Sequence, residues 1–227
     1  MPLTYVPLRE HPARRLPQLF AGLALYGISL ALMVRSGLGL SPWSVLNEGL
    51  ARHTSLSFGT LTTLVGAAVL LLWIPLRQRP TLGTFANILT VGWSSDLGLW
   101  LLPDHPAPPV RGALLATGIL LNGLSVAVYV GARCGPGPRD GLMTALTAAT
   151  GRSLRLVRTA IEIVVLAAGW LLGGSVGPGT VLYAVTVGAV TQYCLPWCAY
   201  RADRDPAPAP TRRTRRPSAA PDPGPGR

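Results

Sequence analysis

GLGLSPWSVLNEGLA at residues 37–51 and GPGPRDGLMTALTAA at residues 135–149 decide the fold. Each contains about a dozen residues that can be helical, roughly 18 Å of helix, and a bilayer core is about 30 Å thick. Each is therefore too short to cross, yet sits between runs that are long enough. In both, a Gly-rich stretch leads to Pro at the first helical position, Pro42 and Pro138, with Ser41 a plausible N-cap in the first. Trp43, Leu46 and Leu50, and in the second segment Leu142 and Leu146, fall on one helical face. The segments read as half-helices that either dip into a membrane or lie along its surface.

Apolar runs of spanning length flank them at about 17–35, 57–75, 82–102, 112–131, 155–173 and 178–196. Six spans are expected. An ungapped shift of 96 residues places 22–92 on 118–188 with 21 identities in 71 positions, where composition alone gives about a tenth. Gly22, Gly27, Ser29 and Ala31 fall on Gly118, Gly123, Ser125 and Ala127, and Gly83, Thr84, Thr90, Val91 and Gly92 on Gly179, Thr180, Thr186, Val187 and Gly188. Gly39 and Pro42 fall on Gly135 and Pro138. A copy with three spans, an odd number, obliges the next copy to begin on the opposite side. The expected fold is thus an all-α integral membrane protein of six transmembrane helices, arranged as two inverted three-span repeats with a half-helix between the first and second span of each. Its parts are a basic arm at 1–16, membrane repeats at 17–102 and 112–196, and a tail at 203–227.

Composition agrees with a bilayer as solvent. Of 227 residues 49% are hydrophobic and 13% charged, too few charges to cover a soluble globule of this size. All 20 basic residues are Arg, which with abundant Ala, Gly and Pro suggests a GC-rich bacterial genome. The formal net charge of +11 sits mostly beside apolar runs, where the positive-inside rule demands it, so no nucleic-acid partner is expected. Arg9, Arg14 and Arg15, the Arg77 and Arg79 loop, the stretch from Arg133 to Arg158 and the tail share one side, against Arg35, Arg52 and Arg111 on the other. That side is read as cytoplasmic, with both termini inside a bacterial inner membrane. The run from Leu16 to Val34 belongs to the repeat and is near span length, so it reads as a retained first helix rather than a cleaved leader. Cys134, Cys194 and Cys198 form no disulfide framework, and no metal or cofactor is expected. The tail, rich in Pro, Arg and Ala, reads as disordered. Its Arg212, Arg213, Arg215 and Arg216 either hold anionic lipid, at about 1 kcal/mol per residue, or only reinforce topology.

The sequence resembles the YczE/YitT-type family of bacterial multi-pass membrane proteins, on its YczE branch. The likeness rests on GLGLSPWSVLNEGL, GPGPRDGLMTAL, GRSLRLVRTAIEIVVLAAGWLLGGSVGPGT and the VLYAVTVG that follows, and covers about residues 18–192. Ala189 stands where such proteins would be expected to have Pro. The resemblance implies the membrane class and supplies no substrate or catalytic residue.

Candidate chemistry comes from charges inside or beside spans, where each costs at least about 2.5–3.5 kcal/mol at mid-depth. Glu162 lies two turns into the fifth span with Arg158 one turn before it, as a neutralising pair or as a proton or substrate group. Arg139 and Asp140 open the second half-helix, where the free N–H groups favour an anion if that start is inside the membrane. Trp43 and Ser44 are their counterparts in the first copy. The candidate substrate-binding set is Ser41, Pro42, Trp43, Pro138, Arg139, Asp140, Arg158 and Glu162. Glu48 and Arg52 read as a pair on a solvated face, Asp96 as a group reaching outer headgroups or a cavity, and His53 and His105 as outer-loop residues without a metal role. No ATP-binding, zinc-protease or serine-nucleophile motif occurs, and no enzyme is expected. Two functions compete: a small-solute secondary transporter working by alternating access between the half-helices, and a non-transporting accessory protein that recruits a protein or lipid.

Overall fold

The computed structural model describes Val6 and residues 10–200. Arg9 of the basic arm and the tail at 203–227, with its arginine cluster, lie outside the described residues. Among the described residues the chain is entirely helical, without strands, in eight helices: α1 (Pro12–Ser36), α2 (Pro42–Arg52), α3 (Phe58–Leu71), α4 (Leu82–Leu101), α5 (Pro108–Gly131), α6 (Pro138–Thr150), α7 (Leu154–Leu171) and α8 (Pro178–Cys198).

Among these, α1, α5 and α8 are long and apolar enough to cross a membrane by length and composition. The apolar run expected at 57–75 leaves regular helix at Leu71. Trp73 and Ile74 donate to carbonyls three residues back, and Pro75 has no N–H with which to continue. Helix α4 carries Asn87, Ser94, Ser95 and Asp96 within its 20 residues, and α7 carries Arg155, Arg158 and Glu162 within its 18. These polar side chains in α4 and the three charges in α7 set both apart from α1, α5 and α8.

Helix α1 packs on α5 and α4, α5 on α8, and α2 on α7. The bundle combines a partly polar interior with an apolar exterior. Its interior holds Ser29, Ser94, Ser95, Asn122 and Ser125, each at most 1% exposed, whereas Trp93, Trp100, Trp170, Leu171, Val185, Tyr193 and Trp197 are at least 65% exposed on the outside. Small side chains let backbones approach, and an apolar exterior suits lipid. The buried hydroxyls are satisfied within their own helices: Ser29 donates to Tyr26 O at 2.6 Å, Ser95 to Val91 O at 2.7 Å and Ser125 to Asn122 O at 2.7 Å.

Contacts in one half recur in the other at the 96-residue offset, with partners exchanged. Gly83 N–H donates to Cys134 O at 3.2 Å, and Gly179 N–H to Leu38 O at 2.8 Å. Arg15 Nε donates to Ala132 O at 2.9 Å and its Nη2 to Arg133 O at 3.0 Å. Arg111 Nε donates to Ser36 O at 2.7 Å and its Nη2 to Gly37 O at 3.1 Å. Leu40 N–H donates to the Thr180 hydroxyl at 3.1 Å. Its counterpart Pro136 has no N–H, and there the Thr84 hydroxyl donates to Pro136 O at 2.9 Å instead. Gly39 and Gly135 have φ of 122° and 116°, a conformation side-chain-bearing residues rarely adopt. These turns deliver the chain to the starts of α2 and α6.

One exchange is of volume rather than of kind. Helix α2 meets α7 at Gly169, where an added Cβ would fall 2.6 Å from Leu46 Cα and Val45 C. At the counterpart contact, α6 offers Gly141 and the turn after α3 supplies the fully buried Trp73. Small and large have traded places, and both crossings stay close-packed.

Candidate functional site

The starts of α2 and α6 are fixed by different means. Ser41 is the N-cap of α2, its hydroxyl accepting from Ser44 N–H at 3.4 Å and lying 2.8 Å from the Ser44 hydroxyl. Gly137 is the N-cap of α6, and no side chain caps its first turn. Pro138 removes one of the orphan N–H groups there and leaves those of Arg139 and Asp140. Trp73 Nε1 holds this end by donating to Pro138 O at 3.1 Å. The Arg139 guanidinium carbon lies 4.9 Å from the Trp43 ring centroid, so a cation–π contact joins one half-helix start to the other.

Between these starts lies a cavity of about 250 Å³ to which all eight helices contribute. Every residue of the candidate set, Ser41, Pro42, Trp43, Pro138, Arg139, Asp140, Arg158 and Glu162, lines it. The expected pair forms, Arg158 Nε donating to Glu162 Oε1 at 2.9 Å. Arg139 and Asp140 make no ion pair among the described residues. Asp140 Oδ2 accepts from the Tyr129 hydroxyl at 3.2 Å. The four charged side chains sum to zero. Such a cavity can bind a small polar molecule against fixed charge of both signs, with aromatic faces beside it.

Sequence reasoning missed the aromatic and amide wall. Tyr26, Tyr129, Tyr183, Asn87 and Thr62 also line the cavity. Tyr183 donates to Asn122 Oδ1 at 3.2 Å, and Asn122 Nδ2 donates to Ser29 Oγ at 2.8 Å. Thr62 accepts from Asn47 Nδ2 at 2.9 Å. A usable signal existed, since Tyr and Asn in the middle of apolar runs are costly without partners. It was weak because Tyr also belongs at membrane surfaces.

Other charged residues lie elsewhere. Glu48 and Arg52 do pair, at 3.2 Å, but the face is not merely solvated. Glu48 Oε2 accepts from Ser175 N–H at 2.6 Å and Oε1 from the Ser175 hydroxyl at 3.0 Å, tying α2 to the connection before α8. Asp96 neither lines the cavity nor stands free. Its carboxylate accepts from Gly59 N–H at 2.7 Å and from the Ser57 hydroxyl, anchoring the start of α3. Arg35 pairs with Asp104. His53 Nε2 lies 3.1 Å from Leu172 O. Cys134, Cys194 and Cys198 are unbridged, and no three metal-ligating side chains cluster among the described residues.

Comparison with known proteins places these features in a wider group. The profile of a family described as "Family of unknown function (DUF6198)" matches residues 13–196. An "Uncharacterized protein" of Haemophilus influenzae is 41% identical over 177 residues, covering 78% of this chain and 81% of the relative. "Uncharacterized membrane protein YczE" of Bacillus subtilis is 33% identical over 180 residues, covering 78% and 83%. "Uncharacterized protein YyaS", also of Bacillus subtilis, is 25% identical over 179 residues, covering 77% and 89%. No solved structure matches the chain.

Proposed function

The chain belongs to the family of unknown function DUF6198, and for this membrane protein we propose secondary transport of a small solute by alternating access. The observation that carries the reading is the cavity bounded by both half-helix starts, with its four charges and its aromatic wall. Binding sites at the meeting point of interrupted helices from two halves are typical of secondary carriers. Fold-level analogy of this kind leaves the chemistry to the site itself.

In this reading α1, α3 with the turn after it, α4, α5, α7 and α8 are six spans, and the halves are inverted repeats. The exchanged contacts of Gly83 with Gly179 and of Arg15 with Arg111 support that symmetry. Helices α2 and α6 are re-entrant from opposite faces. Both termini are cytoplasmic in a bacterial inner membrane, and the arginine cluster of the tail binds anionic lipid. The protein is a carrier and not a catalyst. Transport proceeds as one half rocks against the other, opening the cavity first to one face and then to the opposite one.

The test is counterflow in proteoliposomes containing the purified full-length protein, using solutes first selected by their stabilisation of the protein against heat. Saturable exchange that is lost on substituting Arg139, Asp140 and Glu162 by alanine supports the carrier. A cellular phenotype that survives all three substitutions but disappears on deleting residues 203–227 favours recruitment of a partner and overturns it.

A further inference from the structure

The charges of the cavity fall into two kinds, and the difference identifies what the site binds. Arg158 and Glu162 neutralise one another at 2.9 Å. Arg139 and Asp140, consecutive at the start of α6, form no ion pair with each other or with another side chain among the described residues. Arg139 has the Trp43 ring beneath it and Asp140 has one hydroxyl, that of Tyr129. An unpaired charge at membrane depth is costly and marks a place where a ligand or its path is expected. Here a cation and an anion stand side by side, both lining one cavity.

Resting on the transport reading, we propose that the solute is a small zwitterion carrying a carboxylate and an ammonium group close together, as in an α-amino acid. Its carboxylate takes the Arg139 guanidinium and the uncapped first-turn N–H groups of α6. Its ammonium takes the Asp140 carboxylate and the Tyr129 hydroxyl oxygen. The existing charges sum to zero, so a neutral zwitterion leaves the filled cavity neutral. A solute of single sign meets only one of the two unpaired charges, whereas a zwitterion meets both at once. The volume of about 250 Å³ lies below the usual range of about 300–1,000 Å³ for drug-sized ligands. This volume suits a compact molecule, its apolar part set against Tyr26, Trp43 and Tyr183.

The experiment uses the purified full-length protein and two matched sets of probes: glycine with acetate and methylamine, and leucine with 4-methylpentanoate and 3-methylbutylamine. Each set keeps the carbon skeleton and removes the ammonium or the carboxylate. Thermal stabilisation is read at equal concentration and fixed pH. Expected is a concentration-dependent rise in melting temperature with at least one of the two zwitterions, while its acid and amine counterparts give none. R139Q and D140N should each abolish that rise, whereas E48Q, remote from the cavity, should retain it. Equal stabilisation by an acid or an amine overturns the proposal, as does the absence of a response to both zwitterions. Zwitterion binding without counterflow would reject transport and leave the binding assignment standing; counterflow of an anion or cation would do the reverse.

Discussion

Replacing Arg15 by Met removes donors while keeping much of the side chain's length and volume. Arg15 is fully buried and donates to Val6 O at 2.8 Å, Glu10 O at 3.1 Å, Ala132 O at 2.9 Å and Arg133 O at 3.0 Å, with Tyr200 stacked at 5.3 Å. A hydrogen bond to a charged group contributes about 1.5–3 kcal/mol, but such bonds in one network do not add. R15M leaves buried carbonyls without donors, which costs about 1–3 kcal/mol for each one left unsatisfied, so a loss of about 3 kcal/mol is expected. Its counterpart Arg111 is only partly buried and makes two bonds, to Ser36 O and Gly37 O, the second of them exposed. R111M should cost about 1–2 kcal/mol, since solvent replaces part of what is lost. Unfolding free energies of both variants in mixed micelles, followed by tryptophan fluorescence, give the comparison. The two variants perturb matching lead-in segments, before α6 and before α2, so both should weaken zwitterion binding. A loss below about 1 kcal/mol for R15M, or one for R111M that equals or exceeds it, would refute the clamp assigned to these carbonyls.

Other perturbations separate packing from binding. G141A places a methyl group against the benzo part of the Trp73 indole and should cost about 1–3 kcal/mol in the same unfolding assay; because W73F removes that obstacle but also the Nε1 bond to Pro138 O, the double variant should lose less than the sum of the two single losses. D96A deletes the acceptor for Gly59 N–H and the Ser57 hydroxyl and should lower stability by about 1–2 kcal/mol without changing solute affinity in the thermal-shift assay. E162Q leaves Arg158 without its ion-pair partner in the cavity and should reduce counterflow at least about tenfold, a change of about 1.4 kcal/mol in free energy. A single cysteine at position 105, in a background lacking Cys134, Cys194 and Cys198, should react with an impermeant thiol reagent added outside whole cells; labelling only from inside would overturn the six-span orientation.

The half-helices were legible because Gly and Pro are strong local signals: Pro42 and Pro138 open α2 and α6, and Gly39 and Gly135 take the positive φ that leads into them. The Arg158–Glu162 pair was legible from one-turn spacing on a single helix. The Arg15 and Arg111 clamps were not, because their acceptors are backbone carbonyls, which carry no side-chain signature, and the two arginines read only as topology charges. The anchoring role of Asp96 was not legible for a similar reason. Its partners Ser57 and Gly59 lie on another helix, and only packing of α3 against α4 brings them within reach. The end of α3 at Leu71 was hidden by apolar composition that continues unchanged through Ile74. Tyr129 and Tyr183 enter the cavity through helix rotation, which periodicity leaves open when a span is apolar on every side.

The most direct test of alternating access at the half-helix starts is side-specific labelling of one cavity position. Val126 lines the cavity, and V126C in the background without native cysteines can be exposed to an impermeant thiol reagent in right-side-out and in inside-out vesicles. The carrier reading predicts reaction from both sides, with a bound zwitterion slowing one and altering the other. Reaction from a single side under every condition, or from neither while the protein remains folded, would contradict it.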